Sequence, residues 1–98
     1  MKLDIQLFIS GHSSEVDALI RELEELMQQE SPDYRLTVVD VLTMPEKAVE
    51  HDVFSTPTLR RGLPEPVVKL IGRLSSAQKI MGIVKGWDSQ HPDEIIII

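Results

Sequence analysis

Cysteine is absent from this 98-residue chain, which removes a disulfide framework, a thiol nucleophile and a thiolate metal site. Histidine is scarce: His12, His51 and His91 stand far apart, without the spacing that ligands need to share an ion. No metal, cofactor or catalytic group is therefore expected. Long apolar runs are missing too. No stretch of 18 apolar residues could span a bilayer, and Met1-Lys2-Leu3-Asp4 puts an acid where a signal peptide carries its apolar core. A cytoplasmic protein is expected. Positive charge is in deficit, with ten basic residues against sixteen acidic ones and a net charge of −6, which disfavours nonspecific binding to nucleic acid or anionic membrane. The remainder is ordinary for a folded protein: 42% apolar residues, in a chain long enough for one core and too short for two.

Apolar and polar residues alternate along Leu3-Asp4-Ile5-Gln6-Leu7-Phe8-Ile9, the pattern of a strand with one well-buried end. Ser10-Gly11-His12-Ser13-Ser14 is a turn whose serines suit a helix cap, and Glu15 and Asp17 suit the positive helix start. Val16, Leu19, Ile20, Leu23, Leu26 and Met27 then form the stripe of a long amphipathic helix. Its other face is acidic and solvated. Glu22, Glu24 and Glu25 lie there with nothing to perturb a pKa, so a carboxylate pair for catalysis is excluded.

Tyr34 to Val41 reads as a second strand, and strand, helix and strand within this length imply a parallel βαβ unit. Thr43-Met44-Pro45-Glu46 has the form of a capping box and starts a short helix to about Glu50. Thr58 to Arg61 and Val67 to Ile71, joined by the turn Gly62-Leu63-Pro64-Glu65-Pro66, suit an antiparallel hairpin, which Gly72 ends. Ser75-Ser76-Ala77-Gln78 repeats the capping pattern, and Ala77, Ile80, Met81, Val84 and Trp87 form the stripe of a last helix. The order βαβ, short helix, ββα is that of a thioredoxin-like α/β fold with a mixed four-stranded sheet. It occupies residues 1–88 and leaves a tail, 89–98. In that fold Thr56-Pro57-Thr58 sits where a cis-proline precedes the third strand. The tail ends in Ile95-Ile96-Ile97-Ile98, which either adds an edge strand, docks on a partner subunit or frays.

From Val38 to Ser75 the chain reads VVDVLTMPEKAVEHDVFSTPTLRRGLPEPVVKLIGRLS. This resembles the KaiB family of circadian-clock proteins, whose pattern runs V-x-D-V-L, P, A-E-x-D, A-T-P-T-L, P-x-P and I-G-D-L-S. Leu7-Phe8-Ile9-Ser10-Gly11 is similar to the family's L-Y-V-A-G. The resemblance implies a non-catalytic regulatory protein that binds the RecA-type ATPase hexamer KaiC, captures KaiA and competes with the sensor domain of the histidine kinase SasA, in clock or stress signalling. It also implies fold switching between a thioredoxin-like monomer and a dimeric or tetrameric state with a rearranged C-terminal half.

Asp40, Leu42, Pro45, Lys47 and Asp52 are the contact residues this implies, with Arg60-Arg61 as an exposed pair suited to carboxylates on a partner. Asp40 and Pro45 serve equally well as turn and cap. Thr56, Pro57, Thr58 and Gly72 shape the fold. Ile83 and Lys85 stand where switching members carry Gly-x-Asp, and both propagate a helix better than Gly, so the thioredoxin-like state is expected to be the populated one. Departures in charge at Asp17, Val68, Lys69 and Arg73 argue against KaiA recruitment. Two other readings differ in class. One is a glutathione-binding domain that uses Ser10, Ser13 or Ser14 at the first helix start. The other is an oligomerisation module whose isoleucine tail swaps between chains.

Overall fold

The computed structural model describes residues 3–65, 67–72 and 74–86, and the backbone of residues 95–97. Strand β1 (Leu3–Ile9) leads into helix α1 (Ser14–Glu30) and strand β2 (Tyr34–Asp40). Helix α2 (Pro45–Glu50) comes next, then the hairpin of β3 (Thr58–Leu63) and β4 (Val68–Ile71), helix α3 (Ala77–Lys85) and strand β5 (Ile95–Ile97). The sheet order is β2-β1-β3-β4-β5. β1 and β2 run parallel, as a right-handed βαβ crossover requires, and β3 is antiparallel to both β1 and β4.

The expected thioredoxin-like fold is therefore present, with one strand more than the four expected. Three of the terminal isoleucines pair parallel to β4, Lys69 opposite Ile95 and Ile71 opposite Ile97, so the tail takes the edge-strand course. Pro57 follows a cis peptide bond, as expected, and so does Pro64, which the sequence did not single out. Trp87 lies outside the described residues.

The two faces of the sheet are covered unequally. Odd positions of β1 (Leu3, Ile5, Leu7, Ile9) join Leu59, Val68 and Leu70 beneath Leu19, Leu23 and Met27 of α1 and Ala77, Ile80, Met81 and Val84 of α3. This is the main core, and Lys85 of α3 adds an ion pair to Glu30 at the end of α1, 2.6 Å. The opposite face carries a small cluster, in which Phe8, Val39 and Val53 are buried and Val41 and Ala48 pack against them. At roughly 1.5–3 kcal/mol for each fully buried large side chain, three residues hold α2 far less firmly than the main core holds α1 and α3. Among the described residues, no helix is long and apolar enough to cross a membrane.

Ser76 caps α3, its hydroxyl accepting from the amide of Lys79 at 3.3 Å, one residue later than the pattern at Ser75 suggested. The helix then runs unbroken through Gly82, Ile83 and Lys85. A Cβ at the exposed Gly82 would meet nothing within 4 Å, so only the backbone freedom of glycine is at stake there. Gly82→Ala is expected to raise stability by about 1 kcal/mol, read from the urea midpoint. A destabilised variant would mean that residue 82 is not helical in the dominant state.

A candidate protein-interaction surface

β2 ends on Asp40, and its carboxylate organises the turn that leads into α2. Oδ1 accepts the amides of Gly11 and Leu42, each at 3.0 Å, which ties the turn after β1 to the turn after β2. The backbone carbonyl of Asp40 accepts the amides of Thr43 (3.1 Å) and Met44 (2.9 Å) and the hydroxyl of Thr43 (3.1 Å). Gly11 allows this closeness: its φ is +80°, and a Cβ there would sit 3.2 Å from Cδ1 of Leu42. Asp40 thus takes the turn-shaping role. Because two amides donate to the charged form, its carboxyl titrates below the ordinary 3.8.

The same turn removes the expected capping box. The Thr43 hydroxyl is engaged with Asp40, and α2 begins instead with Met44 as an N-cap that makes no side-chain hydrogen bond and with Pro45 in the first turn. α2 buries none of its own residues completely. The chain returns to the sheet at Val53, whose amide bonds the Ala48 carbonyl at 2.8 Å, after Asp52 adopts a φ of +56°. From β4, Lys69 reaches over and donates from Nζ to the Asp52 carbonyl at 2.7 Å.

This lightly held segment carries four of the five exposed large apolar side chains among the described residues, the fifth being Leu63 of β3. Phe54 is 92% exposed, Val49 78% and Leu42 68%, with Met44 also exposed. Single exposed apolar residues are normal, but four on thirteen consecutive residues call for a partner. Of these four, the sequence alone pointed to Leu42 and missed Met44, Val49 and Phe54. The available signal was Phe54, one of two phenylalanines, set in a turn just before Ser55-Thr56-Pro57. Lys47 is exposed on α2 and pairs loosely with Glu50 at 3.6 Å. Next to the segment the cis Thr56–Pro57 bond leads into buried Thr58, whose hydroxyl donates to the Ser55 carbonyl at 2.7 Å.

Arg60 and Arg61 do not form the exposed pair expected of them. Alternation along β3 sends them to opposite faces. Arg61 pairs opposite Ile5 and Val68, on the helix-covered side, and is 2% exposed. Arg60 lies half-buried across the other face, its Nη1 donating to Gln6 Oε1 at 2.6 Å. Gly62 leaves room for it, since a Cβ there would sit 3.2 Å from Arg60 Nη1 and 2.9 Å from Gln6 Nε2. Burial lowers the pKa of Arg60, and the charge of Asp52 partly offsets this. Arg61 is thereby buried and unavailable as an exposed contact, whereas Asp40, Leu42, Pro45, Lys47 and Asp52 lie on the one segment from the end of β2 to the turn after α2. Gly72, at φ +129°, follows β4. Ile83 and Lys85 lie on α3, apart from this surface.

At the start of α1, Ser13 is the N-cap, its hydroxyl accepting from the Val16 amide at 3.1 Å, and Asp17 pairs with His12 at 2.7 Å. A capping serine in this role is not poised as a thiol activator. Among the described residues, no group of three His, Asp or Glu side chains could hold a metal ion. The surface offers shape and apolar contact.

Because its folded pKa is depressed, Asp40 contributes stability that is present above the ordinary 3.8 and lost as pH falls through the lower folded value. Asp40→Asn keeps an acceptor oxygen and abolishes the titration. Denaturant midpoints measured between about pH 5 and 2 are expected to fall less steeply for this variant than for the parent chain.

Residues 6–85 match the family model described as the KaiB domain. The circadian clock oscillator protein KaiB of Trichodesmium erythraeum is 37% identical over 92 residues, covering 92% of this chain and 88% of that protein. The circadian clock protein KaiB3 of Synechocystis is 31% identical over 81 residues, covering 82% and 79% of the two chains. In structure, the chain resembles the N-terminal domain of SasA from Synechococcus elongatus, with a TM-score of 0.71 at 16% identity, covering 93% and 87%. It also resembles mitochondrial thioredoxin 3 of Saccharomyces cerevisiae, with a TM-score of 0.67 at 23% identity, covering 87% and 78%. Those two likenesses establish the thioredoxin-like fold, and the matched domain and the clock-protein relatives place this chain in the KaiB family.

Proposed function

We propose that this protein is a non-catalytic regulator that binds a KaiC-type ATPase ring through the segment from Asp40 to Phe54. The observation that carries the reading is the exposure of Leu42, Val49 and Phe54, at 68%, 78% and 92%, on a segment anchored by Asp40 and followed by the cis-proline turn. Large apolar side chains held in water by a rigid anchor are suited to become the buried centre of an interface, with Lys47 and Asp52 as its polar rim.

Membership of the KaiB family supplies the kind of partner, a RecA-type hexamer in a clock or stress pathway. The likeness to the SasA N-terminal domain supports competition with a histidine-kinase sensor domain for the same ring, since similar shapes can occupy similar sites. Asp17, an acid at a position of changed charge near the start of α1, supports a pathway without KaiA. The chain is read as a monomer in the thioredoxin-like state. Rearrangement to a dimer or tetramer would have to break the continuous α3 through Ile83 and Lys85 and the Lys85–Glu30 pair at 2.6 Å.

Size-exclusion chromatography with light scattering tests the reading directly. Alone, the chain is expected at its monomer mass of 11.1 kDa, and with ATP and a KaiC-family hexamer from the same organism it is expected to co-elute with the ring. Phe54→Ala is expected to weaken that binding by about tenfold or more, as truncation of a central aromatic does. A ring bound equally well by Phe54→Ala and Val49→Ala together would move the interface elsewhere. A tetramer that ignores the ring would overturn the proposal.

A further inference from the structure

His51 closes α2 and faces the small cluster on the lightly covered side of the sheet. Its backbone amide bonds the carbonyls of Lys47 and Val49, and its ring stands edge-on to Phe8, centroids 6.0 Å apart and planes inclined at 63°. Phe8 is completely buried, so the imidazole forms part of the lid over the apolar cluster that holds the segment down.

The charges around the ring have mostly one sign. Arg60 approaches from β3 and Lys69 from β4, while Lys47 and Glu50 act from α2 itself. The strands beneath, β1 and β2, contribute Phe8 and Val39 to the cluster, both apolar. Lys69 and Arg60 are fixed where they are, the first by its bond to the Asp52 carbonyl and the second by its bond to Gln6. A proton on His51 would therefore lie among Arg60, Lys69 and Lys47 with Glu50 opposing them, and with the next residue, Asp52, acting on Arg60, beside an apolar floor. Burial first and Arg60 second hold the imidazole below its ordinary pKa of 6.5.

We propose that His51 is a pH-sensitive latch: neutral, it lets α2 and the exposed apolar residues dock in the geometry described, and proton uptake loosens that segment from the sheet. The sign comes from linkage. A depressed folded pKa means that the neutral ring's contribution to docking is fully present above 6.5 and is lost as pH falls through the lower folded value. The segment is susceptible because α2 has six residues, no side-chain cap and none of its residues buried. The consequence for partner binding, weaker at mildly acidic pH, rests on the ring-binding reading, whereas the latch itself is a property of the free chain.

The test is therefore made on the full chain alone by nuclear magnetic resonance, titrated from about pH 7.5 to 5. The His51 ring is expected to titrate below the same histidine in the urea-unfolded chain. Amide exchange of Val49 to Val53, corrected for its intrinsic pH dependence, is expected to speed up several-fold through that titration, while β1 stays protected. His51→Gln should abolish the rise, and His51→Phe, which keeps a ring on Phe8, should do so as well if the glutamine variant folds poorly. His51 titrating at its unfolded value, flat exchange across the range, or an undiminished rise in these variants would each overturn the latch. No partner is present, so failure of ring binding leaves this result standing. Ring binding together with flat exchange would remove the latch alone.

Discussion

The carboxylate of Asp40 is the interaction on which the candidate surface depends. One oxygen accepts two backbone amides from two different turns, Gly11 after β1 and Leu42 after β2, and so fixes the ends of the two parallel strands to each other. Everything beyond is placed from that point: Thr43 and Met44 fold back onto the Asp40 carbonyl, α2 starts at Pro45, and Leu42 is turned outward. A carboxylate suits the task better than an amide or hydroxyl would, because bonds to a charged acceptor are stronger. Leu42 is thus carried by a turn with a hydrogen-bonded base, which lessens what must be ordered there when it is covered.

The rest of the fold is divided between a part that supplies stability and a part that is free to vary. α1 and α3 share one face of the sheet over a core of aliphatic side chains, and an ion pair joins their C-terminal ends. Among the described residues, the other face buries a hydrophobic cluster of only Phe8, Val39 and Val53, with Thr58 buried opposite Phe8 and α2 resting on the cluster. Elements with few buried contacts open at low free energy, and binding segments tend to come from that end of the range. A helix more fully buried on the sheet would have turned Val49 and its neighbours inward and left the surface without anchors.

Much of this was legible in the sequence. The alternation of β1, the stripe of α1 and the βαβ spacing come from periodicity, and periodicity survives folding because burial is what selects it. The order of elements led to the sheet, and the sheet to the cis-proline. The features that were not legible depended on three dimensions. Arg60 and Arg61 look like a basic pair until the register opposite Ile5 and Val68 puts one of them under the helices. Thr43 and Glu46 have the spacing of a cap, but the hydroxyl finds the Asp40 carbonyl first. An aromatic residue such as Phe54 is ordinarily core, and only the return of Val53 to the sheet shows that its neighbour must point away. The four isoleucines could not be placed in advance, since an edge strand, a docked tail and a frayed end share one pattern. Their pairing with β4 makes the three-residue β5 the edge of the sheet, a short edge of the kind that limits pairing with another chain.

The thioredoxin-like frame without thiols is consistent with this division. In such a frame the start of α1 and the cis-proline turn lie at the same end of the sheet as the carboxyl ends of the parallel strands, where α/β proteins place their sites. Here that end holds a capped helix start, with Ser13 on the Val16 amide and His12 on Asp17, and the apolar segment beside it. The polar groups there largely satisfy one another. The chain has no thiol, and the described residues hold no metal-binding cluster, so what this end of the sheet presents is its exposed apolar segment. A net charge of −6 keeps a molecule with so exposed an apolar segment dispersed, because like-charged copies repel before Phe54 and Val49 can find each other.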